Sequence, residues 1–408
     1  MGKRTLSVGM LVACVLAGSS HVQAGEPPAM TPAPPTPAAA ASEGRPRDIS
    51  ADIAKIIEKH TIPGMAAVTV HHGKIVAQGV AGVRKTGSPE LVTIDDEWHL
   101  GSCTKSMTAT MCAMLVEKGK LRWDTTLAEV FPEFAPRMNE EFRGVTLQQL
   151  LTNRGGVPTD LNFDGLWGKL WHFKGTPTGS RRFLMEAVTV RAPDYKPGTK
   201  NVYANASFAI AGHVAETVMG KPYEDLMQEM LFGPLGMTSC GWGAPGTTGK
   251  VDQPWGHTKD GKPVEPRPNT PDGRGADNPI AITPAGRLHC TIGDWAKYAA
   301  LHAAMGRAID GRPVLLTSET LRRLHTPPDE LSDYAYGWGR PERPWGGPPG
   351  DRFVITHSGS NTMWFCVVWI APARDFAVLV CCNTGAEGAG KACDEAGWMM
   401  IQKELHVK

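Results

Sequence analysis

Strand-forming residues gather at the two ends of this sequence, and that placement limits the folds open to it. Met65 to His71 and Lys74 to Gly82 are β-rich runs split by His72-Gly73, a hairpin signal. Phe353 to Thr356, Trp364 to Ile370 and Ala377 to Cys382 form a second set, with Pro372 and Asp375 in a connecting turn. Between the two sets the pattern is helical and loop-rich. Met107, Met111, Met114 and Leu115 recur at helical spacing. Short helices are predicted over Leu127 to Phe134 and Thr146 to Thr152. Longer ones run from Ser207 to Gly220, Tyr223 to Phe232 and Asp294 to Met305. Ile53, Ile56 and Ile57 mark a helix before the first strand, and Ala392 to Leu405 one after the last. A chain with strands at both ends must bring them together. The expected class is α/β of the α+β type. One antiparallel sheet (from 48–101 and 285–408) is flanked by helices, with a helical region at about 102–284 beside it. A site falls naturally in the cleft between the two parts.

Residues 1–24 stand apart. Lys3 and Arg4 precede the apolar run Leu6 to Ala17, and Val22-Gln23-Ala24 offers small residues suited to cleavage, the three parts of a secretory signal. Leu11-Val12-Ala13-Cys14 also resembles a lipoprotein box, with Cys14 as the lipidated residue, although apolar residues continue beyond it. Residues 25–47 are rich in Pro and Ala and read as a linker, which leaves 48–408 as the folded domain. The expected location is therefore periplasmic or secreted. No integral membrane span is expected once the signal is removed.

The formal net charge of +1 gives no argument for nucleic acid as a partner. Eight cysteines remain after the signal, without Cys-x-x-Cys spacing or histidines at metal-ligand distances, so a zinc site is not expected. Export permits disulfides. A hairpin turning at Ala373 and Arg374 sets Cys366 opposite Cys381, where a bond could form. Adjacent His71 and His72 read as turn-flanking surface residues. Asp160 to Ser180 reads as a long surface excursion whose Trp167, Trp171 and Phe173 either line a cleft or pin the loop.

Three short motifs carry the chemistry. Ser102-Cys103-Thr104-Lys105 opens a helix after Trp98-His99-Leu100-Gly101, so the hydroxyl and the ammonium share a face. Tyr203-Ala204-Asn205 lies at a loop–helix junction, and His357-Ser358-Gly359 at a strand end. Each alone is weak, since a serine there is commonly a helix cap and a tyrosine commonly a core residue.

In this order the motifs resemble those of the β-lactamase-related serine hydrolases: class C β-lactamases, DD-carboxypeptidases and esterases of the same penicillin-binding-protein-like fold. The flanks Val145 to Thr152, Phe232 to Met237 and Pro284 to Leu288 are similar as well, and the resemblance covers nearly all of the chain after Asp48. It implies an exported enzyme that cleaves an ester or amide bond through an acyl-enzyme on Ser102. The implied substrate is a small ester, peptide or β-lactam, and such an acyl-enzyme route requires no metal or organic cofactor.

The residue chemistry agrees with that implication. A serine hydroxyl needs a neighbouring base, and Lys105 can serve only if burial or a nearby cation lowers its pKa from about 10.4. Tyr203 can pass a proton between the attacking hydroxyl and the leaving group. Asn205 would orient Lys105 and the substrate carbonyl. By resemblance, the N–H groups of Ser102 and Ser360 would meet the oxyanion, with Gly359 permitting close approach. The third motif departs from class C β-lactamases, whose first residue there is lysine. His357 grips a carboxylate less firmly than a fixed cation, which favours an esterase or a peptidase acting on D-amino-acid peptides. Arg154, in Thr152-Asn153-Arg154-Gly155-Gly156, either supplies the missing charge or is a solvated arginine. A β-lactamase, or a non-catalytic relative binding cell-wall peptide in the same cleft, are the alternatives.

Overall fold

Apolar residues on both faces of the same strands decide the layering. In the computed structural model, which describes residues 44–268, 275–309 and 311–407, six strands form one sheet. Their order is Arg47–Asp48, Lys74–Gly82, Gly64–His71, Phe376–Cys382, Phe365–Ala371, Ile355–Ser360. All neighbours are antiparallel except the first pair. The early hairpin therefore sits directly beside the late one, through Gly64–His71 against Phe376–Cys382.

Alternate residues of the central strands serve two cores. Val378, Val380 and Cys382 pack with the helices Ser50–His60 and Gly388–Leu405. Ala377, Leu379 and Cys381 face the larger core, which includes the helices Thr104–Glu117 and Ile292–Ala304. Double burial is why these strands read as unbroken apolar runs rather than alternating ones. From Arg45 onward the chain clusters as one unit. The signal, Cys14 and residues 25–43 of the linker lie outside the described residues. Among the described residues no helix is long and apolar enough to cross a membrane.

The Thr104–Glu117 helix is buried from Thr104 to Leu115 on every side. Its polar positions survive there because each hydroxyl has a partner. Thr108 Oγ1 bonds Tyr223 Oη at 2.7 Å and the Pro284 carbonyl at 2.7 Å, and Thr110 Oγ1 donates to the Ser106 carbonyl at 2.9 Å. These bonds lock the helix to the Thr283–Gly286 segment and to the helical region.

Several expectations need correction. Asp160 to Ser180 is no plain excursion: it holds the Leu166–Trp171 helix and the start of Pro177–Thr189. Its aromatics pin it down, Trp167 edge-on to Trp171 at 6.4 Å and Phe173 against Phe183 at 5.6 Å. The predicted Leu127 to Phe134 helix stops at Val130. The Tyr223 helix widens into a π-turn at Gln228–Phe232. The strand predicted from Phe353 starts at Ile355 and runs on to Ser360, so the His357-Ser358-Gly359 motif lies inside it. Cys366 does stand opposite Cys381, yet both are free. The Cys366 sulfur turns instead toward the Leu100 carbonyl at 3.2 Å and Cys103 Sγ at 3.6 Å. His71 and His72 stack on each other at 4.3 Å and face Glu404 and Asp375 respectively.

Candidate active site

The turn that presents Ser102 is built by glycine. Gly101 adopts φ +47°, and a Cβ there would stand 2.4 Å from Ser360 N. On the facing strand, a Cβ on Gly359 would stand 1.9 Å from the Leu100 carbonyl oxygen and 3.0 Å from Ser102 N. Two backbones thus touch where only glycines fit, and the amides of Ser102 and Ser360 are brought to one place. Ser102 itself is half-buried in the short turn Gly101–Cys103 that leads into the long helix.

One helical turn on, Lys105 is completely buried. Its Nζ lies 3.0 Å from Ser102 Oγ, 2.7 Å from Asn205 Oδ1 and 2.7 Å from the Ala285 carbonyl oxygen. Burial holds its pKa well below the ordinary lysine value; the nearby Cys103 opposes the shift weakly. A neutral amine has two N–H bonds and one lone pair. The two carbonyl acceptors take the N–H bonds, and the lone pair is left facing the serine hydroxyl.

Tyr203 borders the same atoms. Its ring lies under Lys105 Nζ at 4.7 Å. The residue is 38% exposed, but desolvation around its phenol raises the pKa above the usual tyrosine value, opposed by a hydrogen bond with Ser102. It therefore stays protonated at neutral pH and can give a proton. Asn205 begins the Asn205–Met219 helix, so the loop delivers the phenol and the helix start delivers the amide. His357 packs among Tyr203 (6.3 Å) and Tyr334 (6.1 Å), with its Nδ1–H donating to the Ser358 carbonyl at 2.6 Å. Burial, with the Lys105 charge as a smaller contribution, pushes its pKa down to about 4, so the ring is neutral at pH 7.

The seven residues singled out from the sequence (Ser102, Lys105, Tyr203, Asn205, His357, Gly359 and Ser360) therefore meet at one place. The Ser360 hydroxyl turns away, accepting from Thr362 N at 2.9 Å, so only its backbone faces the site. Arg154 is not the solvated arginine of one reading: it is buried, with an ion pair to Asp329.

Two contributors have no motif of their own. Asn153, at φ 56°, accepts from Ala204 N through Oδ1 and from Val202 N and Tyr195 Oη through its carbonyl, which holds the Tyr203 junction in place. Tyr334 lays its ring edge-on to Tyr203 at 6.2 Å. The only local signal was the Asn153-Arg154-Gly155-Gly156 turn, since asparagine is enriched in left-handed conformations.

A family model described as Beta-lactamase matches residues 49–397. Penicillin-binding protein 4 of Amycolatopsis lactamdurans is 28% identical over 333 residues, 80% of this chain and 82% of that protein. An unguisins hydrolase of Aspergillus campestris is 25% identical over 88% of this chain and 66% of its own length. The crystal structure of a beta-lactamase from Sulfitobacter sp. EE-36 superposes with a TM-score of 0.67 at 20% identity, covering 86% of this chain and 96% of that one. At that identity the superposition speaks for the fold.

Proposed function

The chain belongs to the Beta-lactamase family of serine hydrolases, and from that premise we propose an exported enzyme of the esterase or D-amino-acid peptidase type, working through an acyl-enzyme on Ser102. The observation that carries this reading is the buried Lys105 amine, 3.0 Å from the Ser102 hydroxyl and hydrogen-bonded to two carbonyl oxygens.

In this reading Lys105 takes the Ser102 proton as Oγ adds to the substrate carbonyl. The oxyanion is met by the N–H groups of Ser102 and Ser360. Tyr203 then gives its proton to the leaving alcohol or amine and recovers one from Lys105. Water repeats the addition on the acyl-enzyme, and the acid leaves with Ser102 restored.

Substrate class follows from the charges. His357 is neutral at pH 7 and Arg154 is occupied by Asp329, so a substrate carboxylate meets no fixed cation at either position. This supports esters, and amides without a free carboxylate beside the scissile bond, over β-lactams as the preferred substrates. The names of the relatives, a penicillin-binding protein and an unguisins hydrolase, are in keeping with a hydrolytic site. Export rests on residues 1–24 of the sequence.

The test is intact mass of the mature protein after incubation with a β-lactam and, separately, an activated short-chain ester, with Ser102→Ala alongside. A covalent adduct or ester turnover that disappears in the variant is expected. Turnover of the β-lactam faster than the ester would favour a β-lactamase. No reaction of folded protein with either reagent would leave a binding protein as the better reading.

A further inference from the structure

A buried carboxylate outside the three motifs connects the two backbone segments that supply the oxyanion donors. Asp277 is 3% exposed. Its Oδ2 lies 2.9 Å from His99 Nε2, and its Oδ1 accepts from Asn361 Nδ2 at 3.0 Å. Each partner reaches one side of the site. His99 Nδ1 accepts the Gly101 N–H at 3.1 Å, immediately before Ser102. Because Nδ1 is an acceptor there, the ring proton sits on Nε2 and is donated to Asp277. Asn361 follows Ser360 directly, and its Oδ1 accepts from Met363 N at 3.2 Å and Trp364 N at 3.3 Å, which shapes the turn leaving the strand. Trp364 in turn stacks on the His99 ring at 5.5 Å.

We infer that Asp277 is a positioning residue that fixes the separation of the Ser102 and Ser360 amides, through His99 on one side and Asn361 on the other. This inference rests on the acyl-transfer reading of Ser102. Its physical basis is that oxyanion donors act by preorganisation, and a shift of about 0.5 Å between them forfeits much of their effect. Glycine contact alone keeps the two backbones from separating sideways only as far as packing allows. A carboxylate accepting from both sides resists their sliding as well. Its charge is balanced in place: Arg287 Nε stands 3.3 Å from Oδ2, and Arg287 Nη1 donates to Thr283 Oγ1 at 3.2 Å. Burial pushes the carboxyl pKa up, but His99, Arg287 and Asn361 outweigh it and hold it at about 2. The carboxylate is therefore charged at any working pH.

The experiment compares wild-type protein with Asp277→Asn, Asn361→Ala, His99→Leu and His99→Gln on an activated short-chain ester. Asn361→Ala leaves the Asp277–Arg287 pair intact, and so serves if Asp277→Asn does not fold. In folded Asp277→Asn, Asn361→Ala and His99→Leu, kcat is expected to fall roughly ten- to hundredfold with KM changed less than about threefold. His99→Gln, which offers one acceptor and one donor, should recover most of kcat. Amide hydrogen exchange at 101–102 and 360–361 should rise in the three impaired variants and stay put elsewhere. Unchanged kcat in any folded one of the three, or exchange that rises throughout the domain, overturns the positioning role. A wild-type protein that does not react at Ser102 at all would instead refute the acyl-transfer reading; the exchange pattern would still decide whether Asp277 holds the two segments.

Discussion

Lys105 Nζ stands 3.0 Å from Ser102 Oγ, and its two other partners are neutral carbonyl oxygens. With no ion pair holding its proton in that set, burial lowers its pKa well below 10.5. In the proposed acyl-transfer route the neutral amine is the active form, so kcat/KM should rise with pH through the lowered pKa and then stay level. Lys105→Met should reduce acylation by about a thousandfold or more and abolish that rising limb. A stopped-flow pH profile checks this. A wild-type rate that still climbs near pH 10 would exclude Lys105 as the base.

His357 offers a specificity test. Its pKa of about 4 means that activity on a neutral ester should show no inflection near pH 6.5 attributable to this ring. His357→Lys places a cation where the structure has none. The ratio of β-lactam to ester kcat/KM should rise by about tenfold, the scale of one added charge contact. A ratio that is unchanged, in a folded variant that still turns over ester, would show that substrate carboxylates do not reach this position.

Gly359→Ala tests the backbone contact. The new methyl would meet the Leu100 carbonyl at 1.9 Å, and backbone on both sides leaves nothing flexible to yield. Activity should drop by at least about a hundredfold, with a lower melting temperature. Circular dichroism melts and ester turnover measure the two effects. Near-wild-type values in both would mean that the two strands are not in this contact.

Far from the site, Arg181 is buried between Glu216 and Glu224, with Glu216 Oε2 at 2.7 Å and Glu224 Oε1 at 2.8 Å. His213 Nδ1 approaches Glu216 Oε1 at 2.7 Å. Burial alone would raise the Glu216 pKa, but His213 and Arg181 together hold it at about 2. The folded value is below the usual 4.5, so this group's stabilisation is complete above pH 4.5 and is lost as pH falls toward 2. Arg181→Met, which strands the carboxylates, should cost about 3–5 kcal/mol at neutral pH and flatten this acid dependence. Urea unfolding at pH 7 and pH 3 provides both numbers; a loss that is equal at the two pH values would contradict the assignment.

The sheet could be read from local pattern because its signals are local, whereas the three motifs, each weak alone, gained meaning only from their order along the chain. Ser102 and Lys105 lie one turn apart, and the apolar runs at 64–82 and 355–382 fill both cores. The Pro177–Thr189 helix was hidden by its neighbouring glycines, although Thr176 caps it through Gly179 N and Pro177 sits in its first turn. Cys366 shows the limit of strand register, which gives the residue opposite but not the direction of its sulfur. Tyr334, Asn153 and Asp277 reach the site from loops, where no periodicity announces them. Their roles exist only once distant segments have met.

The adjacency of the early and late hairpins has a consequence for how the protein is made. His72 and Asp375 face each other across 303 positions of sequence. As the chain leaves the ribosome, the Gly64–His71 strand waits with an unpaired edge until Phe376–Cys382 has been synthesised. Folding must close that long loop before the sheet rewards it, a topology associated with slow folding and with exposure to aggregation on the way. A chain released between Glu117 and Phe376 would carry its complete Ser-x-x-Lys helix and the early hairpin, yet lack the strand that joins the two halves of the sheet.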